Sequence, residues 1–92
     1  MAKIYVASQE YQADVKCFKV DQEYNADILV YVVDQEYNAT SDAKWFYVSQ
    51  DYNATTKIFW VDQDYKADLK VFFVGQDYNA KWNKGHSLQN RL

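Results

Sequence analysis

The sequence has few of the residues that usually break or crosslink a chain. It contains no proline and only two glycines, Gly75 and Gly85, so its turns must close by another device. Its single cysteine, Cys17, excludes an internal disulfide and favours a reducing, cytoplasmic location. No apolar run approaches the roughly 20 residues of a membrane span. We therefore expect no membrane partner. Because a strand pattern begins almost at residue 1, we also expect no signal peptide.

Charge and composition narrow the class of protein further. The net charge is −3, which gives no attraction to nucleic acid. The 92 residues are 49% apolar and 18% aromatic, which is enough to fold one domain with a modest core. Disorder is therefore a poor interpretation, although Gln, Asn and Asp are frequent.

The chain is a tandem repeat. A Q-[ED]-Y-x-A motif occurs six times, starting at Gln9, Gln22, Gln35, Gln50, Gln63 and Gln76. The spacing is 13 residues, except for one step of 15 that carries an insertion near residues 40–42. No such unit can bury its apolar face alone, so the fold is an array of one small unit. A residue that occurs six times is expected to serve the architecture first.

The first half of each unit predicts a one-turn helix. The residue before each Gln is of a type preferred at helix N-caps: Ser8, Asp21, Asp34, Ser49, Asp62 and Gly75. Counting Gln as position 1, position 2 is always acidic, which suits the start of a helix, and position 5 is always Ala. We therefore predict a capped turn that needs neither glycine nor proline.

The second half of each unit predicts a β-strand. The β-branched and aromatic segments are 3–6, 15–20, 28–33, 44–48, 57–61 and 69–74. Positions 9 and 10 are apolar on neighbouring residues, so both faces of the strand should be covered, whereas position 8 is usually Lys. Neither end of the array has a polar capping unit, so we expect the array to close on itself.

The repeated motif resembles a known family. The pattern V-D-Q-[ED]-Y-N-A-D-[LI]-[KL]-V-[FY]-[FV]-V, with Ala-Lys-Trp-Phe at 43–46 and Ala-Lys-Trp at 80–82, is similar to the V-D-x-x-x-x-A-D-L-K-V-Y-F-V repeats of Septknot, a family of small bacterial proteins of unknown function. The resemblance covers about residues 3–83 and implies a seven-crossing torus knot and a monomer. Thr40 and Thr55 depart from the usual Asp after Ala.

These observations together predict the fold class: a mixed, β-rich fold with one-turn helices, made of six 13-residue turn–strand repeats in one compact, closed domain, knotted as the resemblance implies. Residues 1–83 form the repeat domain and residues 84–92 a polar C-terminal tail.

Metal and sugar sites are two alternatives for the repeated polar turns. Acids such as Asp21, Glu23 and Asp27 could hold Ca²⁺, but the turns lack the glycine and the D-x-D-x-D-G order of a calcium loop. A turn that repeats Gln, an acid, Tyr and Asn could instead form equivalent sugar sites, with Tyr stacking on the sugar. The competing interpretation is that each Tyr packs its ring into the core.

Catalysis has little support in the sequence. Cys17 lies at position 9, where other units have Ile, Val or Trp, so we interpret it as a small buried hydrophobe. His86 is the single histidine and has no obvious Cys or Asp partner in the C-terminal tail. We therefore expect no enzymatic activity, no metal and no cofactor.

Position 11 supplies the candidate partner surface, namely Tyr47, Trp60 and Phe73. The same position holds Lys19 and Val32 in other units, and this variability indicates partial exposure. If the three aromatic residues meet on one face, they form an apolar patch for a partner. The functional prediction is thus a very stable structural or binding module with an unknown partner, and the alternative is a multivalent, lectin-like carbohydrate-binding protein.

Overall fold

The computed structural model describes residues 2–83, 85, 86 and 92, and its main element is a closed barrel of six parallel strands. The strands are β1 (Ala2–Val6), β2 (Val15–Lys19), β3 (Ile28–Val32), β4 (Lys44–Tyr47), β5 (Thr56–Trp60) and β6 (Leu69–Phe73). A short β7 (Lys81–Trp82) pairs antiparallel with β3. The Cα radius of gyration is 12.1 Å, close to the ~12 Å of a compact domain of this length. The predicted β-rich, compact and closed architecture is confirmed.

The second half of the chain fills the gaps left by the first half. The strand order is β4-β1-β5-β2-β6-β3, and β3 pairs with β4 to close the ring. β5 therefore lies between β1 and β2, β6 lies between β2 and β3, and β4 lies between β3 and β1. The chain passes around the barrel once in β1–β3 and again in β4–β6. Five of the six barrel pairings therefore join strands that are not consecutive in the chain, and the pairing of β3 with β4 joins consecutive strands.

The register follows one rule around the ring. A residue at position 9 pairs with position 11 of one neighbour and position 7 of the other, as Cys17 does with Trp60 and Leu69. The register shifts by two residues between each pair of neighbouring strands. Because side chains alternate between the two faces with a period of two, the same repeat positions point inward on every strand. Positions 7, 9 and 11 thus form the interior of the barrel.

The deepest part of the core comes from position 9. All six of its residues have no exposed surface: Ile4, Cys17, Val30, Trp45, Ile58 and Val71. The position 7 residues are also buried, at 4% exposure or less. Cys17 therefore is the small buried hydrophobe that the sequence predicts.

The outer face of the strands is covered in part. Position 10 is aromatic in every unit, and these rings are half-buried. Phe18 and Phe72, for example, pack against a small buried cluster of Val20, Ala26 and Leu29. The prediction that both faces are covered therefore holds for the inner face, whereas the outer face is covered only in part.

Six one-turn 3-10 helices connect the strands, and their capping differs from the prediction. They span Glu10–Gln12, Glu23–Asn25, Glu36–Asn38, Asp51–Asn53, Asp64–Lys66 and Asp77–Asn79. The N-cap residue is the repeated Gln, in extended conformation and without a side-chain cap bond. The predicted caps at Ser8, Asp21, Asp34, Ser49, Asp62 and Gly75 are therefore wrong. The physical reason is length, because a three-residue turn closes with backbone bonds alone, such as Ala13 N–H to Glu10 C=O at 3.1 Å.

The residue after each Ala joins neighbouring strands. The Asp14 N–H donates to the Lys57 carbonyl at 2.7 Å, and the Asp14 carboxylate accepts from the Lys57 N–H at 3.2 Å. Asp27 and Asp68 bind the backbone of Lys70 and Lys16 in the same way. Thr55 forms the equivalent pair of bonds with Lys3 through its hydroxyl. We call this arrangement the position 6 clamp, and it shows how Thr55 can take the place of Asp.

The predicted C-terminal tail, 84–92, lies partly outside the described residues. Within it, Leu92 is 5% exposed and packs with the main core, and the His86 ring stacks on Trp82 at 5.6 Å. No helix in the described part of the chain is long and apolar enough to cross a membrane.

Candidate functional site

The candidate site forms where β4, β5 and β6 end. Tyr47, Trp60 and Phe73 are the last residues of these strands and occupy position 11, which points inward. Since the six barrel strands are parallel, all their carboxyl ends lie at one end of the barrel. The structure therefore brings together the three residues that the sequence analysis selected. We call them the aromatic mouth.

The rings of the aromatic mouth contact one another and the floor below them. The Trp60 and Phe73 centroids are 5.8 Å apart, and both rings lie near Trp45, at 6.5 and 6.2 Å. Tyr47 meets Trp45 edge to face at 6.3 Å. Trp45 is fully buried, so it closes the site from below. These distances are typical of favourable aromatic pairs.

A cavity of about 450 Å³ opens over this cluster. Phe18, Lys19 and Val61 complete its lining. The Lys19 ammonium lies 5.7 Å from the centroid of the Phe73 ring, within the range of a cation–π contact. The site is thus a concave aromatic surface with one cation at its edge.

Burial raises the pKa of one thiol below the mouth and of one hydroxyl within it. Desolvation, with a smaller contribution from Asp68, raises the pKa of the Cys17 thiol to about 12. Desolvation, with a smaller contribution from Cys17, raises the pKa of Tyr47 to about 12. Tyr47 therefore presents a hydrogen-bond donor, and Cys17 is not a thiolate.

The turn tyrosines do not belong to the core. All six are 69–79% exposed: Tyr11, Tyr24, Tyr37, Tyr52, Tyr65 and Tyr78. The prediction that these rings pack into the core is wrong, because position 3 of the unit lies on a turn outside the barrel and the strand residues fill the interior.

Three clefts on the outside of the barrel are built from equivalent positions. Their volumes are about 370, 340 and 330 Å³. Each has a position 10 ring, a position 12 Val, the acid before Gln and the position 2 acid of another unit. The largest contains Phe18, Asp21, Asn25 and Asp64. The repeat therefore places an aromatic ring beside two carboxylates at three separate places.

Two polar contacts near β7 were not predicted from the sequence. Asp42, within the insertion, is 9% exposed, and its carboxylate accepts from Trp82 Nε1 at 3.1 Å. Its carbonyl accepts from the buried Trp45 Nε1. A buried tryptophan needs a partner for its N–H, so Trp45, three residues after the inserted Asp42, was the available indication. Trp82 lies 40 residues from Asp42 in the sequence, which gave no indication of their contact.

His86 has an acidic partner outside the C-terminal tail, which the sequence analysis did not identify. Its Nε2 lies 3.7 Å from the Asp27 carboxylate and 2.8 Å from the Asp68 carbonyl. The sequence offered no route to this contact, because it joins residues far apart along the chain. Among the described residues, no group of three or more His, Cys, Asp or Glu side chains could hold a metal ion.

Comparison with known proteins agrees with this architecture. The chain matches the Septknot family, described as the 7(1) septoil knot domain, over residues 1–83. No curated protein and no solved structure matches it. The match covers the whole barrel and β7, so the chain belongs to the Septknot family of septoil knot domains.

Proposed function

We propose that this protein is a non-catalytic binding module whose ligand contacts the aromatic mouth. One observation carries the proposal: Tyr47, Trp60 and Phe73 converge over Trp45 at the end of the barrel where the strands terminate. Cavities of a few hundred cubic ångströms lined by aromatic residues are the usual form of a ligand site.

The exposure of the inward rows supports this location. Positions 7 and 9 are 4% exposed or less, whereas Val6, Val32 and Tyr47 at position 11 are 42%, 41% and 36% exposed. The apolar interior of the barrel therefore becomes accessible at the row that holds the aromatic mouth. Burial of these rings by a ligand would remove apolar surface from water.

The barrel beneath the mouth supports a second part of the proposal, slow unfolding and resistance to proteases. Five of the six barrel pairings join strands that are not consecutive in the chain, and the two passes of the chain interleave. We propose that the chain is also knotted, as its family description implies. An interleaved, closed chain must lose many pairings together before any segment opens, which lowers the unfolding rate.

A monomer in a reducing, cytoplasmic compartment fits this proposal. The free thiol of Cys17 is fully buried in the core, where it needs no disulfide partner. The interior is filled by the chain's own strands, so the barrel needs no second copy to complete its core.

Amide NMR tests the binding proposal. Two-dimensional spectra of the labelled protein would be recorded alone, with a pool of small aromatic molecules and with a pool of saccharides. Shifts confined to Tyr47, Trp60, Phe73 and their strand neighbours support the proposal. If no aromatic molecule of any charge shifts these amides, the proposal is wrong.

A matched pair of variants on β6 provides the control. Phe73→Leu removes a ring from the mouth, and Phe72→Leu removes the neighbouring ring, which faces outward. We expect the first to weaken binding about tenfold or more and the second to leave it nearly unchanged. Equal losses in both variants would point to a general effect on the fold.

Labelling of Cys17 tests slow unfolding. At pH 8 the buried thiol is protonated and inaccessible, so reaction with a thiol reagent requires opening of the barrel. We expect labelling over hours or longer in high urea. Complete labelling within seconds in mild urea, with rapid recovery of the native spectrum on dilution, would contradict slow unfolding.

Carbohydrate binding remains a second candidate function, favoured by the three equivalent clefts. An aromatic face beside carboxylates and an amide, as in the cleft of Phe18, Asp21 and Asn25, suits a sugar ring with its hydroxyls. The saccharide pool would then shift amides at equivalent positions in several units. Shifts in the mouth alone would exclude this candidate.

A further inference from the structure

The inward row at the aromatic mouth contains a residue that its repeat position does not predict. Of the residues at positions 7, 9 and 11 of the six strands, Lys19 alone is charged. It is the last residue of β2 and its backbone pairs with Val71 of β6. The repeat places Val, Tyr, Trp or Phe at the equivalent positions. A lysine therefore stands in a row that is otherwise apolar or aromatic.

The position of Lys19 gives the cavity a single sign of charge. Its ammonium lies over the Phe73 ring, and the other lining residues among those described are Phe18, Tyr47, Trp60 and Val61. No carboxylate is among them, although the protein carries 13 acids and a net charge of −3. The mouth is thus a basic, aromatic site on an acidic protein.

The other polar group in the lining has compatible chemistry. The Tyr47 hydroxyl is protonated at neutral pH, as a tyrosine ordinarily is, and burial raises its pKa further, to about 12. It can therefore donate a hydrogen bond to an anionic oxygen. The two flat rings, Trp60 and Phe73, lie 5.8 Å apart at an angle of 52° and offer faces for stacking.

We propose that the aromatic mouth binds a small planar aromatic carboxylate, with its ring against Trp60 and Phe73 and its negative charge near Lys19. The cavity of about 450 Å³ is large enough for a two-ring molecule. This inference rests on the proposed binding function and names its ligand class. The mouth differs from the three outer clefts, because each of those has two acids in its lining beside one or two lysines, whereas the mouth has a lysine and no acid.

A charge series at constant ring structure tests the inference. Indole-3-acetate, indole-3-acetamide and tryptamine are anionic, neutral and cationic probes with nearly the same shape. Binding would be followed by amide shifts of residues 19, 47, 60 and 73. We expect the anion to bind about fivefold more tightly than the neutral amide, and the cation most weakly.

Two lysine variants separate the local charge from the net charge. Lys19→Gln should remove the preference for the anion and leave the affinity for the amide within about twofold. Lys57→Gln changes the net charge equally but acts at the amino-terminal part of β5, so the preference should persist. Lys19 is exposed, so its substitution should not impair folding.

The outcomes distinguish this inference from the proposed function. Equal binding of all three probes at the mouth, or a preference that Lys19→Gln does not change, would overturn the inference while retaining the mouth as a binding surface. If none of the three probes shifts the mouth, the inference is wrong. If the wider pool of small aromatic molecules also shifts none of these amides, the proposed binding function is wrong as well.

Discussion

The position 9 row of the strands and the tyrosine row of the turns repeat with equal regularity but occupy opposite environments. The six position 9 residues have no exposed surface, whereas the six turn tyrosines are 69–79% exposed. The tyrosine row is identical in every unit, and the position 9 row contains Ile, Val, Cys and Trp. The more uniform row is therefore the less buried one.

This contrast shows what periodicity measures. A strictly repeated residue indicates an equivalent place in each unit, but the place can be inside or outside the barrel. The interior varies because one Trp at position 9 must be accommodated by smaller residues elsewhere in the same core. The exposed turns carry no such constraint on volume.

The largest effect should follow from truncation of the buried row. Ile58→Ala removes most of a fully buried side chain and leaves a cavity between the strands. We expect a loss of about 2–5 kcal/mol in the free energy of unfolding. Urea titration, with each sample equilibrated from both the folded and the unfolded side, measures it. A loss below about 1 kcal/mol would mean that the core repacks readily around the gap.

A smaller effect should follow at the junction of β7 with the barrel. Trp82→Phe removes the Nε1 bond to the Asp42 carboxylate, a group that is 9% exposed. We expect a loss of about 1–3 kcal/mol, because a charged acceptor loses a donor in a buried place.

A double-mutant cycle assigns that loss to the hydrogen bond. Combining Trp82→Phe with Asp42→Ala should give a coupling of about 1 kcal/mol in urea unfolding. Strict additivity of the two changes would show that the ring, and not its N–H, stabilises this junction.

The position 6 clamp predicts a graded pair of variants. Asp14→Ala removes the acceptor for the Lys57 N–H and should cost about 1 kcal/mol. Asp14→Thr should recover most of this loss, since Thr55 forms the equivalent bonds with Lys3. Thermal or urea unfolding of the two variants beside the wild type provides the measurement. Equal stability of the Ala and Thr variants would contradict the clamp.

The smallest effect should come from the tyrosine row. Tyr24→Ala and Tyr52→Ala remove rings that are 69% and 79% exposed, so each should change the free energy of unfolding by less than about 0.5 kcal/mol. The same urea titration compares them with Ile58→Ala. A loss of several kcal/mol would show that the tyrosine rings, like the position 9 row, contribute to the core.

Much of the fold and one part of the site could be predicted from the sequence. The strands, the one-turn helices and the buried Cys17 follow from the 13-residue period and the residue types at its positions. The closed form follows from the lack of a polar capping unit at either end of the array. Tyr47, Trp60 and Phe73 were identified because position 11 varies among units. Variation at an otherwise regular position is informative, since the architecture does not require a particular residue there.

Other features could not be predicted because they depend on which strands become neighbours. The clamp joins Asp14 to Lys57 and Asp68 to Lys16, and the interleaved strand order alone brings these residues together. The contact of His86 with Asp27 depends on the path of the C-terminal residues. The exposed tyrosines were mispredicted because an aromatic residue beside Ala is compatible with both a core and a surface turn.

The sequence by itself determined the unit: a short strand, a self-closing turn and an alternation that places every second side chain on one face. These are local properties, set by backbone geometry and side-chain shape over a few residues. The tertiary structure alone decided that β5 lies between β1 and β2, that position 11 forms an accessible mouth, and that Lys19 stands over Phe73. Those facts depend on closing the ring, because closure sets the register between strands and thereby decides which side chains share one end of the barrel.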